Sequence, residues 1–373
     1  MEPQAPTKQT KMTKTNPTDQ QRLLLVSVPR TASNLLLKVL NIHSQPALHT
    51  NNKGGYFFFD AFTAAAQSSV LTTPAATWPP ATVAQVRSVF QSCFDALEAF
   101  SAEAATNGKR AFAKEHAFWF ANPVSFHPTD PDESASDDAD RREADETLFR
   151  LPLPETYGPT ATATFSSGNE TIFPDEYLRT WRLAFIIRHP ALAFPSFYRA
   201  MRKVGETGYL VDDEETLRGT LATNMSLRWT RGLVEWCLRQ KPGEEVLLLD
   251  AHDLIHEPAA VRRFCRLAGL DEGVVKWEWG VGEPHQRRGK KEEEEGVLTQ
   301  EQRDYYAAAR IMLSTLEGSS GVMKEKTPAA VDVRAEVKKW RGEFGEEVAA
   351  MLERAVEEAM PDYEFLRGKR VRG

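Results

Sequence analysis

The segment LLLVSVPRTASNLLLKVL (residues 23–40) gives the strongest indication of the fold in this chain of 373 residues. The apolar run Leu23–Val28 is typical of a parallel strand that is buried on both faces. The polar turn Pro29–Asn34 follows, and after it apolar residues recur at helical spacing. In a strand, turn and helix of this order, the unpaired N–H groups and the positive dipole end of the helix lie at the turn. The segment therefore predicts an anion-binding βα loop.

Within this loop, Ser33 and Asn34 are candidate N-caps of the helix, and the Arg30 guanidinium can grip a phosphate through two N–H groups. The sequence contains no G-x-x-x-x-G-K-[ST], so the loop is not a Walker A motif and an ordinary ATPase or kinase is disfavoured. Taken alone, the segment fits equally well an ordinary βα turn whose arginine faces solvent, because short motifs give many false positives.

Strands and helices alternate along the rest of the chain. A strand is predicted within Lys109–Phe120, and further strands are Leu183–Ile187 and Val246–Asp250. Predicted helices are Thr82–Ala105, residues 194–204, Leu217–Arg239, Pro258–Ala268 with Gly269 as its C-cap, and Glu336–Met360. This alternation predicts a three-layer α/β fold, with a mostly parallel sheet between two layers of helices. We expect a single domain over residues 22–373.

Two segments are unsuited to a core. Residues 1–21 are polar and predict a disordered tail, and the acidic, proline-containing residues 127–146 predict a surface insertion. A net charge of -7 argues against a nucleic-acid partner. The three cysteines lie far apart and indicate neither a disulfide framework nor a metal site. No apolar run has the length of a signal peptide or membrane span, so we expect a cytoplasmic protein without a membrane partner.

The segment AFAKEHAFWF (residues 111–120) contains a candidate catalytic pair. Alternate strand residues share a face, so Lys114 and His116 lie together while Glu115 lies opposite. The imidazole can take a proton from an acceptor hydroxyl, and the ammonium can stabilise charge on a transferred anionic group. For this segment alone the stronger interpretation is a buried structural histidine beside a lysine that reaches water.

Two further basic segments are candidate phosphate sites. Arg188 follows a predicted strand at the carboxyl edge, where open α/β sheets bind ligands, and Ser196 lies eight residues later near a helix start. The two can hold a second phosphate. The alternative is that Ser196 caps the helix and Arg188 forms a surface ion pair. The basic run at 287–291 precedes four glutamates, a pattern that by itself indicates only a solvated charge run.

Together these segments resemble the sulfotransferase family that uses 3′-phosphoadenosine 5′-phosphosulfate (PAPS). The matching segments, in chain order, are Pro29–Leu35 for the family's P-K-S-G-T-T-W loop, Lys114-Glu115-His116 for its K-x-H strand, Arg188-His189-Pro190 with Ser196 for its R-x-P and helix serine, Arg287-Arg288-Gly289 for its R-K-G, and Thr299 with Gln302 for the T-x-x-Q that follows. The segments PRTASNLL (residues 29–36) and MPDYEFL (residues 360–366) are similar to those of a fungal branch of sulfotransferase-like proteins that is linked to secondary metabolism.

The resemblance implies a fold related to the P-loop NTPases, with PAPS as co-substrate and no metal. It implies a small hydroxylated acceptor, and aromatic residues near the motifs favour an apolar or aromatic one. His116 is the implied general base, and Arg30 and Lys114 are the implied stabilisers of charge. The implied 5′-phosphosulfate site consists of Arg30, Thr31, Ala32, Ser33 and Asn34. The implied 3′-phosphate site consists of Arg188, Ser196, Arg287, Arg288 and Gly289.

The loop departs from the family pattern at three positions. Arg30 replaces a lysine, and a guanidinium cannot give up a proton as an ammonium can. Ala32 replaces a glycine, which changes how the backbone approaches a phosphate. Leu35 replaces a tryptophan that would stack on adenine. Three alternatives therefore stay open: sulfation-assisted dehydration or cyclisation, kinase-like phosphoryl transfer, and non-catalytic nucleotide binding. The retained Lys114–His116 pair favours an enzyme.

Overall fold

The computed structural model describes residues 22–51, 54–126, 147–157, 162–207, 214–280 and 300–373. The tail (1–21) and the acidic segment (127–146) lie outside these ranges, so both predictions stay predictions, as does the single domain. Within the described chain the strands are β1 (Arg22–Ser27), β2 (Leu48–His49), β3 (Arg110–His116), β4 (Trp181–Ile187) and β5 (Leu247–Asp250). They form a sheet of order β2-β3-β1-β4-β5 in which every neighbouring pair is parallel.

Helices precede and follow these strands. In chain order they are α1 (Ser33–Val39), α2 (Phe59–Gln67), α3 (Pro80–Thr106), α4 (Asp175–Leu178), α5 (Pro190–Gly205), α6 (Glu214–Asn224), α7 (Arg228–Gln240), α8 (Ala251–His256), α9 (Pro258–Ala268), α10 (Gln300–Glu317), α11 (Val333–Phe344) and α12 (Glu346–Gly368). No described helix combines the length and the apolar character that crossing a bilayer requires.

The central strand β1 is buried on both faces because its alternate side chains enter two different cores. Leu24 and Val26 pack with α2, α3 and α7, whereas Leu23 and Leu25 pack with α1 and α9. None of the four is more than 3% exposed. An apolar residue is therefore required at every position rather than at every second one. The helices on both faces confirm the predicted three-layer α/β fold with its parallel sheet.

Two predicted helices are each divided in the structure, so their predicted extents are wrong. The region 217–239 contains α6 and α7, which are separated by residues 225–227. The region 336–360 contains α11 and α12, which are separated at Gly345, where φ is 87°. Apolar periodicity persists across such short breaks, so the pattern alone does not reveal them. Helix α9 matches its prediction and ends at Gly269 in the left-handed conformation.

The segment after β2 approaches β3 closely and so places an aromatic residue at the end of that strand. The Lys114 N–H donates to the Gly55 carbonyl at 2.9 Å. Gly55 has a φ of +93°, and a Cβ there would lie 2.8 Å from both Cβ and N of Lys114. Only glycine fits this approach. Its position brings the next residue, Tyr56, to the carboxyl end of β3.

We expect Gly55→Ala to lower the free energy of unfolding by about 2–3 kcal/mol, because both the positive φ and the overlap with Lys114 oppose a side chain. Gly108→Ala is the matched control, since Gly108 has a φ of +63° but no heavy atom within 4 Å of the added Cβ. Its loss should be about 1 kcal/mol, the backbone term alone. Chemical denaturation measures both, and equal losses would contradict a close approach at Gly55.

Candidate active site

Three predicted motifs meet at one edge of the sheet. Strand β1 leads into the loop at residues 29–34, β3 ends at His116, and β4 ends just before Arg188. Because β1 lies between β3 and β4 and all three are parallel, their carboxyl ends share that edge. A cavity of about 480 Å³ opens there, and residues of all three motifs line it.

The loop backbone adopts an uncommon conformation at two positions. Arg30 and Ala32 both have a φ of 66°, in the left-handed region that favours glycine. Between them, Thr31 is 1% exposed, and its hydroxyl donates to the Val28 carbonyl at 2.7 Å. This hydrogen bond closes the turn, so Thr31 stabilises the loop conformation. Thr31 is not among the residues that line the cavity.

The helix after the loop begins differently from the prediction. Ala32 is the N-cap residue of α1, and no side chain caps the helix, so the prediction of Ser33 or Asn34 as the cap is wrong. The Asn34 side chain has another partner, because its Oδ1 accepts a hydrogen bond from Lys114 Nζ. Ser33 and Asn34 both line the cavity. Both residues therefore belong to the cavity wall, and neither caps the helix.

His116 lies at the end of β3 with its two ring nitrogens in different surroundings. Nδ1 is 3.0 Å from Ser27 Oγ, and that hydroxyl donates to the Glu115 carbonyl at 3.4 Å. Since the Ser27 proton is used in this way, its oxygen accepts from Nδ1–H, and the network assigns the imidazole proton to Nδ1. Nε2 is left as an acceptor and lies 3.3 Å from the Tyr56 hydroxyl.

Burial lowers the pKa of His116 well below its usual value, and the Lys114 ammonium lowers it further, while a hydrogen bond to Ser27 opposes both. The imidazole is therefore neutral near pH 7. A neutral ring with its proton on Nδ1 has a lone pair on Nε2, which is the state that a general base requires.

Lys114 is fully buried behind the loop. Its Nζ donates to Asn34 and lies 4.2 Å from the centroid of the Tyr56 ring, within the range of a cation–π contact. Asn34 and Tyr56 line the cavity, and Lys114 does not. The ammonium therefore contacts two side chains of the cavity wall without lining the cavity itself.

Glu115 points to the opposite side of β3, as the strand alternation predicted. Its Oε1 accepts hydrogen bonds from the N–H groups of Phe57 and Phe58 at 2.5 and 3.2 Å. Burial raises the pKa of Glu115 to about 8, although these hydrogen bonds and Lys114 lower it. The carboxyl group anchors the segment that carries Tyr56, so β3 positions Tyr56 from both of its faces.

Arg30 and Arg188 converge from neighbouring strand exits. Arg30 Nε donates to Ser196 Oγ at 3.0 Å, and its Nη1 donates to the Met312 carbonyl. Arg188 donates to the carbonyls of Arg30 and Lys326 at 3.1 and 2.7 Å. The buried Nε of Arg188 has no acceptor among the described residues. Both guanidinium groups are thus oriented by carbonyl and hydroxyl oxygens rather than by carboxylates.

The two arginines also repel one another. Burial lowers the pKa of Arg188 to about 10, with a further contribution from Arg30, while Asp250 raises it. Burial and Arg199 lower the pKa of Arg30. Both groups stay charged at neutral pH, so the edge of the sheet carries positive charge that a bound anion would neutralise.

Ser196 lies in the second turn of α5 and is not its cap. The N-cap is His189, whose side chain accepts from the Ala191 N–H. This excludes the helix-cap alternative for Ser196 and leaves its hydroxyl on Arg30, at the cavity wall. The basic segment Arg287-Arg288-Gly289 and Thr299 lie outside the described residues, as does the side chain of Gln302.

Comparison with known proteins gives the family. Sulfotransferase ppzF of Metarhizium rileyi (strain RCEF 4871) is 33% identical over 368 residues, which cover 94% of this chain and 96% of that protein. Sulfotransferase ppzF of Metarhizium majus (strain ARSEF 297) is 32% identical over 375 residues, which cover 94% of this chain and 97% of that protein. The chain belongs to the sulfotransferase family. No family model and no solved structure matches it.

The family assignment confirms the resemblance and the enzyme class, and the roles of single residues stay predictions. In this sulfotransferase the structure brings together His116, Arg188, Ser196 and the loop at 29–34, all of which the sequence singled out. It adds Tyr56 and Ser27, which sequence analysis missed. The glycine pair before Tyr56 was a usable signal, because adjacent glycines mark a turn or a close backbone approach. Among the described residues, no group of His, Cys, Asp and Glu side chains could hold a metal ion.

At the loop position where the family has glycine, Ala32 has a strained backbone, and this yields a prediction. We expect Ala32→Gly to raise the free energy of unfolding by up to about 1 kcal/mol, because relief of the left-handed strain exceeds the added entropy of the unfolded chain. Ala96→Gly is the control, since Ala96 is exposed within α3 and should lose about 1 kcal/mol. Denaturant titration decides the question. A loss at both positions would show that Ala32 is unstrained.

Proposed function

We propose that this sulfotransferase transfers a sulfuryl group from PAPS to a hydroxyl of a small apolar or aromatic metabolite. The observation that carries the proposal is a single cavity with two features. One wall contains His116, which is neutral with its lone pair on Nε2. The same cavity is lined by Arg30 and Arg188, which are partly buried, charged and unpaired with any described carboxylate. A base beside a cationic anion site suits transfer of an anionic group.

The cationic wall accounts for the donor. Arg30 and the loop residues Ala32–Asn34 line the same cavity as His116 and are the proposed 5′-phosphosulfate site. Arg188 has an unused Nε and, together with Ser196, is the proposed 3′-phosphate site. Arg287, Arg288 and Gly289, which lie outside the described residues, are also part of the proposed 3′-phosphate site. Charge-assisted hydrogen bonds of this kind are among the strongest in proteins.

Each residue of the site has a different proposed role in the transfer. His116 is the final acceptor of the proton that the acceptor hydroxyl loses as its oxygen attacks sulfur. Arg30 stabilises the charge that stays on the bridging oxygen of the nucleotide. Lys114 contributes through Asn34. Its ammonium donates a hydrogen bond to the amide oxygen of Asn34, and the amide NH₂ then donates to a sulfuryl oxygen. The predicted stabilising role of Lys114 is therefore proposed to be indirect.

Aromatic rings around His116 support an apolar or aromatic acceptor. Trp119 packs edge-on to the imidazole at 4.5 Å, and its ring lies 5.1 Å from Phe59. Both line the cavity with Phe62. Flat apolar walls with few polar groups are typical of sites for small organic ligands. We also propose a role in secondary metabolism, because the resemblance is to a fungal branch with that association, and a cytoplasmic location without nucleic-acid or membrane partners.

The nucleotide assignment predicts selective binding. Calorimetry should show tighter binding of 3′-phosphoadenosine 5′-phosphate than of AMP or of ATP with Mg²⁺, because we propose that the site binds two phosphate groups. Arg188→Ala should weaken the bisphosphate by about 10- to 100-fold, the loss of a hydrogen bond to a charged group. The control is Arg87→Ala, an exposed arginine of α3 that should change nothing. Equally tight binding of ATP with Mg²⁺ would favour the kinase-like alternative instead.

The base assignment predicts a separate loss. His116→Ala should leave bisphosphate affinity near that of the wild type and lower kcat with an aryl alcohol such as 2-naphthol by about 10²- to 10⁴-fold. A base works when it is neutral, so a lowered pKa moves the acid limb of kcat/KM to below about pH 6.5, the usual histidine value. The exposed His43 is the control position. Normal turnover in His116→Ala would place proton removal elsewhere, and an unfolded variant would make His116 a structural residue.

A further inference from the structure

Tyr56 lies beside the proposed base, and both residues line the cavity. Its hydroxyl lies 3.3 Å from His116 Nε2, and its side chain lines the cavity. The ring packs 4.8 Å from Trp119 and lies beneath the Lys114 ammonium at 4.2 Å. The backbone before it is set by the approach of Gly55 to β3, and the backbone after it by Glu115. The position of the phenol is therefore determined from several sides.

The hydrogen bond to His116 limits how an acceptor can lose its proton. A neutral imidazole with its proton on Nδ1 has one lone pair, on Nε2, and this assignment makes the Tyr56 hydroxyl, 3.3 Å away, the donor to it. Direct removal of the acceptor proton by Nε2 would require this hydrogen bond to break. The Tyr56 oxygen, in contrast, has lone pairs of its own that can accept from an acceptor hydroxyl in the cavity. A path through the phenol leaves the existing contact intact.

We propose that Tyr56 is a catalytic residue that relays the acceptor proton to His116, an inference that rests on the proposed sulfuryl transfer. The proton of the acceptor hydroxyl moves to Tyr56 Oη, while the proton of Tyr56 moves to His116 Nε2. The acceptor oxygen forms its bond to sulfur, and the bond between sulfur and the 5′-phosphate oxygen breaks with its electron pair staying on that oxygen. The phenol ends neutral, the imidazole carries the proton, and no group is oxidised or reduced.

Lys114 has a defined part in this relay. Negative charge develops on the Tyr56 oxygen while the two protons move, and the buried ammonium over the ring stabilises that charge. The same ammonium disfavours a permanent proton on His116, so the imidazole returns readily to its neutral state. A lysine fully buried next to a tyrosine and a histidine, behind the cavity rather than in it, is explained by this role.

The test compares Tyr56→Phe with wild type on two phenols of different acidity. The variant keeps the ring and its contacts but loses the hydroxyl. With 2-naphthol, which needs a base, kcat/KM should fall by about 10²-fold, the lower range for a positioned proton acceptor. With 4-nitrophenol, which is already partly ionised near neutral pH, the loss should be much smaller. The affinity for 3′-phosphoadenosine 5′-phosphate, measured by calorimetry, should not change.

Tyr198→Phe is the matched control, because Tyr198 lies on α5 against Phe344 and outside the cavity. It should leave both reactions unchanged. Equal losses of Tyr56→Phe on the two phenols would make Tyr56 structural, and unchanged or faster turnover would show that it only covers Nε2; either result overturns the relay. If the wild-type enzyme sulfates neither phenol nor any simple alcohol, the proposed function itself fails, and the relay fails with it.

Discussion

Parallel pairing of β1 with β3 on one side and β4 on the other is the constraint on which the site depends. The register places Ser27 beside His116 and Leu25 beside Lys114. Ser27 is thus the last residue of β1 that can reach the imidazole, and the loop begins two residues later. The neighbouring pairing with β4 brings Arg188 out of the sheet next to the loop, where it donates to the Arg30 carbonyl. Because hydrogen bonds set this register along the full strand length, each motif has a fixed neighbour.

The site concentrates three positive charges in buried or partly buried positions. Lys114 is fully buried, and Arg30 and Arg188 have pKa values lowered by burial. Such charges are costly unless neutralised, and the contacts of these groups are mostly carbonyl, hydroxyl and amide oxygens. The left-handed backbone at Arg30 and Ala32 adds strain at the same place. Costs of this kind are concentrated at functional sites, and here the burial of apolar residues on both faces of β1 offsets them.

Much of the fold was predictable because its signals are local. A strand buried on both faces needs apolar residues throughout, and Leu23–Val28 shows this directly. The C-cap at Gly269 was predictable because a left-handed residue at a helix end is nearly always glycine. The breaks within 217–239 and 336–360 were not predictable, because periodicity continues across a short interruption. The N-cap of α1 was also mispredicted, because the Asn34 side chain is bonded to Lys114 of β3, a residue distant in the sequence that the local pattern does not indicate.

The alternation of strands and helices, the parallel sheet and the residue types at each strand exit were predictable from the sequence: an arginine in the loop, a lysine and a histidine on one strand face, and an arginine with a serine beyond it. Those features follow from side-chain periodicity and chain order, which are properties of short segments. Which atoms come into contact is visible in the folded structure alone. The protonation of His116 at Nδ1, the indirect position of Lys114 and the phenol of Tyr56 at Nε2 depend on contacts between residues about 60 to 90 positions apart. Strand register and burial set such contacts, and both depend on how several distant segments of the chain pack together.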